Sequence, residues 1–155
     1  MLIRIDDLSG LEIRLLLQDH LQAMRQASPP CSMHALDLDG LRRPDVTVWS
    51  AWDEQDLLGC AALKQLDARH GEIKSMRTAK AHLRKGVARM LLAHMLEEAT
   101  RRGYKRLSLE TGAQEPFAAA RALYLEMGFD YCEPFANYSL DPYSAYMTRS
   151  VGATP

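Results

Sequence analysis

The sequence predicts a mixed α/β fold, with a central, mostly antiparallel sheet of about seven strands flanked by about four helices. Three observations lead to it. The segments VTVWSAW (46–52), LLGCAALKQL (57–66) and GEIKSMRT (71–78) follow one another as apolar, β-rich runs with short polar joints. At Val87 the apolar period then changes from about 2 to about 3.6 residues. A further strand and helix follow, so an antiparallel meander is succeeded by a βαβ-like unit.

In chain order, Leu2 to Ile5 form a short strand, and Asp7 or Ser9 caps a helix carrying Leu11, Leu15, Leu16 and Leu21 that stops before Pro29 and Pro30. From 28 to 44 the text is irregular, SPPCSMH followed by ALDLDGL. One short helix in a connector fits it, placed to line a substrate mouth. The polar stretch Asp53 to Asp56 turns the first two long strands into a hairpin, and GEIKSMRT adds the third. The segment HLRKGVARMLLAHMLEEATRRGY (82–104) is the strongest helix, with Val87, Met90, Leu91, Met95, Leu96 and Ala99 on one stripe and Gly103 at the C-cap. KRLSLET returns to alternation, with Leu107, Leu109 and Thr111 on one face, and Pro116 opens a helix that ends near Gly128. FDYC and SAYMTRSV are the last strands, joined by a polar loop over 133–143. With no repeat, low-complexity tract or linker, residues 1–155 read as one domain.

A chain of 155 residues can bury a core without disulfide or metal staples, and 47% hydrophobic with 25% charged residues is an ordinary globular balance. The net charge of −1 excludes a global pull toward nucleic acid or anionic membrane, so charge-driven binding must be local. Cys31, Cys60 and Cys132 are too scattered for a disulfide framework. His34 follows Cys31 in a CxxH spacing, but no second pair completes a zinc site, and no metal is expected. No signal-like start and no apolar run near roughly 18 residues is present, so a cytoplasmic protein with no membrane partner is expected.

Local charge gathers at one helix start. Arg84, Lys85 and Arg89 surround Gly86, which lets an anion approach the backbone where a helix N-terminus presents unpaired N–H groups, and small Ala88 keeps the first turn open. Neither GxxxxGK[ST] nor GxGxxG occurs, which disfavours P-loop and dinucleotide folds. The alternative is a solvated basic turn.

The order of GEIKSMRT, LRKGVARMLL, KRLSLET and ARALYLEMGF resembles the acetyl-CoA-binding core of GNAT-type N-acetyltransferases. Their loop reads [RQ]xxGx[GA]. Here Leu83-Arg84-Lys85-Gly86-Val87-Ala88 matches the Gly and Ala and puts Leu83 first; Phe117 stands where the family often has Asn, ahead of Ala120, Leu123, Tyr124, Gly128 and Phe129. The resemblance implies a GNAT-like sheet, acetyl-CoA as cosubstrate, amides from Arg84 to Arg89 (including Gly86, Val87 and Ala88) holding the diphosphate, and the backbone of Met76 and Thr78 pairing with the pantetheine arm. It also implies that Tyr124 is the general acid, against the alternative that it only packs in the core.

Acetyl transfer to an amine further needs a base and an oxyanion donor. Glu72 is the first choice of base and Glu110 the second, each acting directly or through water, and a backbone N–H around Met76 or Arg77 is the oxyanion donor. If the connector and the late loop face each other, His34, Asp37, Asp39, Tyr138, Asp141 and Tyr143 form a polar, acidic acceptor pocket suited to an ammonium group. The expected activity is direct acetyl transfer from acetyl-CoA to a primary amine of a small molecule. The alternatives are a non-catalytic acyl-CoA-binding sensor or partner domain, and a site for another phosphorylated ligand. A homodimer through the final strands is a further expectation.

Overall fold

The computed structural model describes residues 1–29 and 35–152. Seven strands, β1 (Leu2–Ile5), β2 (Val46–Asp53), β3 (Asp56–Gln65), β4 (His70–Thr78), β5 (Arg106–Gly112), β6 (Asp130–Tyr131) and β7 (Ser144–Ser150), form one sheet in the order β1-β2-β3-β4-β5-β7-β6. All neighbours are antiparallel except β4 and β5, which are parallel. A parallel pair needs a crossover, and helix α3 (Val87–Arg101) supplies it. The mixed, mostly antiparallel sheet is the one the period changes predict.

Helices α1 (Leu11–Ala27) and α2 (Leu38–Leu41) cover one face, where Ile13, Leu16, Leu17 and Leu41 pack with Val48, Cys60 and Ala62. Helices α3 and α4 (Ala118–Glu126) cover the other, where Val87, Leu91, Met95 and Tyr124 pack with Ile73, Leu107, Leu109 and Met147. The faces follow from strand alternation. Among the described residues no helix is long and apolar enough to cross a membrane.

Local expectations hold with two corrections, both in α1. Helix α1 buries Ile13, Leu16, Leu17 and His20, while Leu11 and Leu15 of the expected stripe face solvent. Its N-cap is Gly10 without a side-chain bond; the Asp7 carboxylate instead accepts from Ser9 N and Oγ, a local turn that competes with capping. Helix α3 starts at Val87 with Gly86 as its N-cap, the helix start expected at Gly86, and before it 80–82 form a 3₁₀ turn and Arg84 and Gly86 take left-handed backbone, at φ 64° and 81°. At its end Gly103 has φ 81°, and Tyr104 N donates to Ala99 O at 3.0 Å, so the expected glycine closure is present.

The feature that positions a site lies between β4 and β5. They pair only from His70 with Arg106 to Ile73 with Leu109, after which Lys74–Thr78 and Glu110–Gly112 run on without pairing to each other. On its other side β4 stays paired with β3 but carries an extra residue between the Lys74–Ala62 and Arg77–Cys60 pairs, with Ser75 at φ 53°. Such a bulge bends its strand and re-aims the backbone.

Candidate functional site

The two diverging strands leave a cavity of about 540 Å³ that opens to both faces of the sheet. On the α3 side Leu83, Ala88, Phe117, Ala120 and Tyr124 line it; on the α1 side His20, Met24, Ala27, Glu72, Lys74 and Glu110 do. Ala79 N donates to Leu58 O on β3 at 2.8 Å. By strand alternation the N–H groups of Thr78 and Met76 then face away from β3, into the gap.

At the α3 end, the helix N-terminus is open. Gly86 makes no side-chain cap, and a Cβ built on it would meet nothing within 4 Å. The amides of the first turn therefore have no intrahelical acceptor and no capping oxygen. Arg84 is exposed, and Lys85 Nζ lies 3.1 Å from His82 Nδ1. Arg89, one of the cations expected around Gly86, is ion-paired with Glu126 and donates to Met127 Sδ at 3.5 Å, which ties α3 to the end of α4.

In the middle of the gap, the Tyr124 hydroxyl donates to Met76 Sδ at 3.8 Å. Burial, reinforced by Glu110, pushes the phenol up to about 12, so it remains a proton-bearing donor. Tyr124 also packs edge-on to Phe129 at 5.9 Å, so the core role and the position in the gap coexist. The ring of Phe117 lies directly over Gly112, where a Cβ would come within 2.0 Å of it. A bare glycine at the end of β5 is what admits that ring to the cavity wall.

The carboxylates divide into a paired and an unpaired one. Buried Glu72 accepts from Lys74 Nζ at 3.2 Å and from Tyr138 Oη at 2.5 Å, and Lys74 Nζ also donates to Tyr138 Oη at 3.0 Å. Glu110 makes no ion pair among the described residues. Burial pushes its carboxyl up to about 7; Glu72 and Asp141 add to the rise, while Ser144 and Lys74 oppose it. A carboxyl poised near neutral pH inside a cleft is suited to moving a proton.

The Acetyltransferase (GNAT) family model matches residues 13–129, which includes β4, the Gly86 turn, β5 and α4. The chain belongs to the GNAT family of acetyltransferases. The GNAT chain is 57% identical over 149 residues to the uncharacterized N-acetyltransferase YsnE of Bacillus subtilis (strain 168), covering 96% of this chain and 99% of that protein. It is 51% identical over 149 residues to the uncharacterized N-acetyltransferase YedL of Escherichia coli (strain K12), covering 96% and 94%. A GNAT acetyltransferase from Elizabethkingia anophelis, solved with acetyl-CoA bound, shares the fold at a TM-score of 0.68 with 16% identity, covering 97% of both chains.

Within this GNAT chain the sequence-derived residues fall into three groups. Glu72, Met76, Arg77, Thr78, Ala88, Phe117 and Tyr124 all line the one cavity, with Arg84, Lys85, Gly86, Val87 and Arg89 at the adjoining turn and helix start. Tyr138 reaches the site through Glu72, and the Asp141 charge acts on Glu110. Asp37 is not gathered there: its carboxylate caps α2 by accepting from Gly40 N at 2.9 Å. His34 lies outside the described residues. Sequence reasoning passed over His20 and Lys74. A polar residue on the buried stripe of α1, and a Glu-x-Lys pair on alternate positions of β4, were the available signals.

Among the described residues no three His, Cys, Asp or Glu side chains gather as a metal site.

Proposed function

We propose that this GNAT acetyltransferase moves the acetyl group of acetyl-CoA directly to a primary amine of a small molecule. The observation that carries the reading is the cavity that passes between β4 and β5 and joins the open helix start at Gly86 to the carboxylates on the α1 side. A cosubstrate and an acceptor can thus meet from opposite faces of the sheet. The binding of acetyl-CoA by a neighbour of the same fold supports the choice of donor.

The residues fit the cosubstrate in kind. The first-turn amides of α3, with Arg84 and Lys85, suit a diphosphate, and the gap-facing N–H groups of Met76 and Thr78 suit a pantetheine amide. Phe117 offers an apolar wall where the sequence pattern has no polar contact to give. Acetyl-CoA, when bound, supplies the thioester carbonyl and the thiol leaving group.

Glu110 takes the proton from the incoming ammonium or amine, since its raised pKa makes it a base of near-neutral strength. The gap-facing backbone N–H of Met76 stabilises the oxygen that becomes negative as nitrogen adds to the carbonyl carbon, whereas the Arg77 N–H, two residues before Ala79, faces β3. As the carbon–sulfur bond breaks, Tyr124 donates its proton to the departing sulfur and recovers one from solvent or from the protonated base. Glu72, tied to Lys74 and Tyr138, holds the acceptor wall in place rather than taking the proton. A small acceptor is favoured because the cavity must also hold the acetylated end of the cosubstrate.

The test is thiol release from acetyl-CoA with a panel of small primary amines, alongside thermal stabilisation by acetyl-CoA. Stabilisation together with amine-dependent thiol release supports transfer. Stabilisation with no release above hydrolysis for any amine would leave the acyl-CoA-binding reading in its place.

A further inference from the structure

The α1 side of the cavity contains polar atoms with no partner. Among the described residues His20 Nδ1, Ser75 Oγ and Arg77 Nε are buried side-chain atoms without a hydrogen bond, and all three residues line the same cavity. His20 and Ser75 are each 8% exposed. Burying a polar atom without a partner costs free energy, and all three belong to residues that line one cavity, where a bound ligand can supply the missing partners.

Their chemistry specifies that ligand. Arg77 Nε is obligatorily a donor, the Ser75 hydroxyl can donate, and a neutral imidazole donates from Nδ1 in one tautomer. Burial, with the Arg77 charge, holds His20 down at about 4, so the ring is neutral near pH 7. Arg77 has no ion-pair partner among the described residues, whereas Lys74 beside it is neutralised by Glu72. The cross-strand pairs Cys60–Arg77 and Ala62–Lys74 put both cations on the α1 face, and Glu110 lines the same cavity. Among the described residues the acceptor side therefore holds the Arg77 cation without an ion-pair partner and the proton-accepting carboxyl of Glu110.

We infer that the acceptor is a small amino acid, whose carboxylate is bound by Arg77, Ser75 and His20 while its amine faces Glu110. This rests on the transferase reading above and names the acceptor class within it. A guanidinium with two further donors suits a carboxylate.

The experiment uses the unaltered protein with acetyl-CoA and matched acceptors: glycine, β-alanine and ornithine against methylamine, ethylamine and putrescine, which lack only the carboxylate, and against the methyl esters. The best amino acid is expected to exceed its partner in kcat/KM by at least roughly 10-fold. Arg77→Met is expected to bring that ratio near unity. Because Arg77→Met could also disturb folding, propionate, which has the carboxylate of β-alanine and no amine, is tested as a competitive inhibitor against the amino acid on the unaltered chain. Inhibition by propionate supports the carboxylate site. Equal or better turnover of the carboxylate-free amines, or no inhibition by propionate, overturns this inference and leaves the transferase standing. Stabilisation by acetyl-CoA with no acetylation of any acceptor overturns both.

Discussion

The hydroxyl of Tyr138 donates to Oε2 of Glu72 at 2.5 Å, so a loop residue near the C-terminus completes the hydrogen bonding of a carboxylate buried inside β4. Lys74 closes the group, donating to both partners. Phe135, 5.1 Å from the Tyr138 ring, and Tyr146, 5.6 Å from it, hold the loop on the sheet.

Removing that hydroxyl leaves a buried charge short of one donor, a loss typically of about 1.5–3 kcal/mol. Tyr138→Phe is therefore expected to lower the melting temperature by roughly 4–8 °C in a chain of this size. Calorimetric scans of both proteins measure it. An unchanged transition would mean that Lys74 alone satisfies Glu72.

Glu110 sets two pH dependences. Its folded pKa of about 7 lies above the ordinary carboxyl value of 4.5, so the stability it contributes is full below about pH 4.5 and is lost as pH rises through about 7. Glu110→Gln should accordingly gain stability relative to the native chain between pH 5 and pH 8. Activity runs the other way: kcat/KM should rise through pH 7 as the base loses its proton, and Glu110→Gln should flatten that limb. A limb that persists in the variant would assign the titration elsewhere.

Tyr124→Phe tests the proton donor. The ring keeps its packing on Phe129 and loses only the hydroxyl that points at Met76. The expected result is a fall in kcat of roughly 100-fold or more with the KM for acetyl-CoA nearly unchanged. Equal losses in binding and turnover would return Tyr124 to a purely packing role.

The parts legible in the sequence were those set by local periodicity. Val87, Leu91, Met95 and Ala99 marked α3, and Gly103 marked its end, because a helix in contact with a sheet shows its apolar stripe every three or four residues. Leu11 and Leu15 misled: α1 is rolled so that His20 continues the buried stripe, and a histidine on that stripe carries no hydrophobic signal. The Glu72, Lys74 and Tyr138 group was illegible for another reason. Its members come from β4 and a loop two strands later, with Tyr138 66 residues beyond Glu72, and only the folded register brings them together. Likewise the raised pKa of Glu110 comes from burial that no neighbouring residue announces.

The turn at Gly86 separates strain from ligand contact. At φ 81° with open space around the absent Cβ, Gly86→Ala should cost about 1 kcal/mol through backbone strain while retaining acetyl-CoA binding. Gly86→Glu adds a negative side chain where the diphosphate is proposed to sit. Saturating acetyl-CoA, at about 100 times its Kd, should stabilise the native chain and Gly86→Ala by roughly 2.7 kcal/mol and leave Gly86→Glu unmoved. Comparable ligand stabilisation of all three would move the diphosphate away from this turn.

Gly112 and Phe117 form the last testable pair. A methyl group at Gly112 would lie 2.0 Å from Phe117 Cδ2, so Gly112→Ala must push the ring off the cavity wall or bend β5. Overpacking of this kind costs typically about 1–3 kcal/mol. If the clash with the ring is the whole cause, then Gly112→Ala should cost much less in a Phe117→Ala background, a coupling of roughly 1 kcal/mol or more in a double-mutant cycle read by chemical denaturation. Activity provides the second axis: Gly112→Ala should raise the KM for acetyl-CoA, since the displaced ring occupies space the cosubstrate needs. Strictly additive stabilities would instead trace the cost to the strand backbone, and Phe117 would lose its claim to shape the cavity.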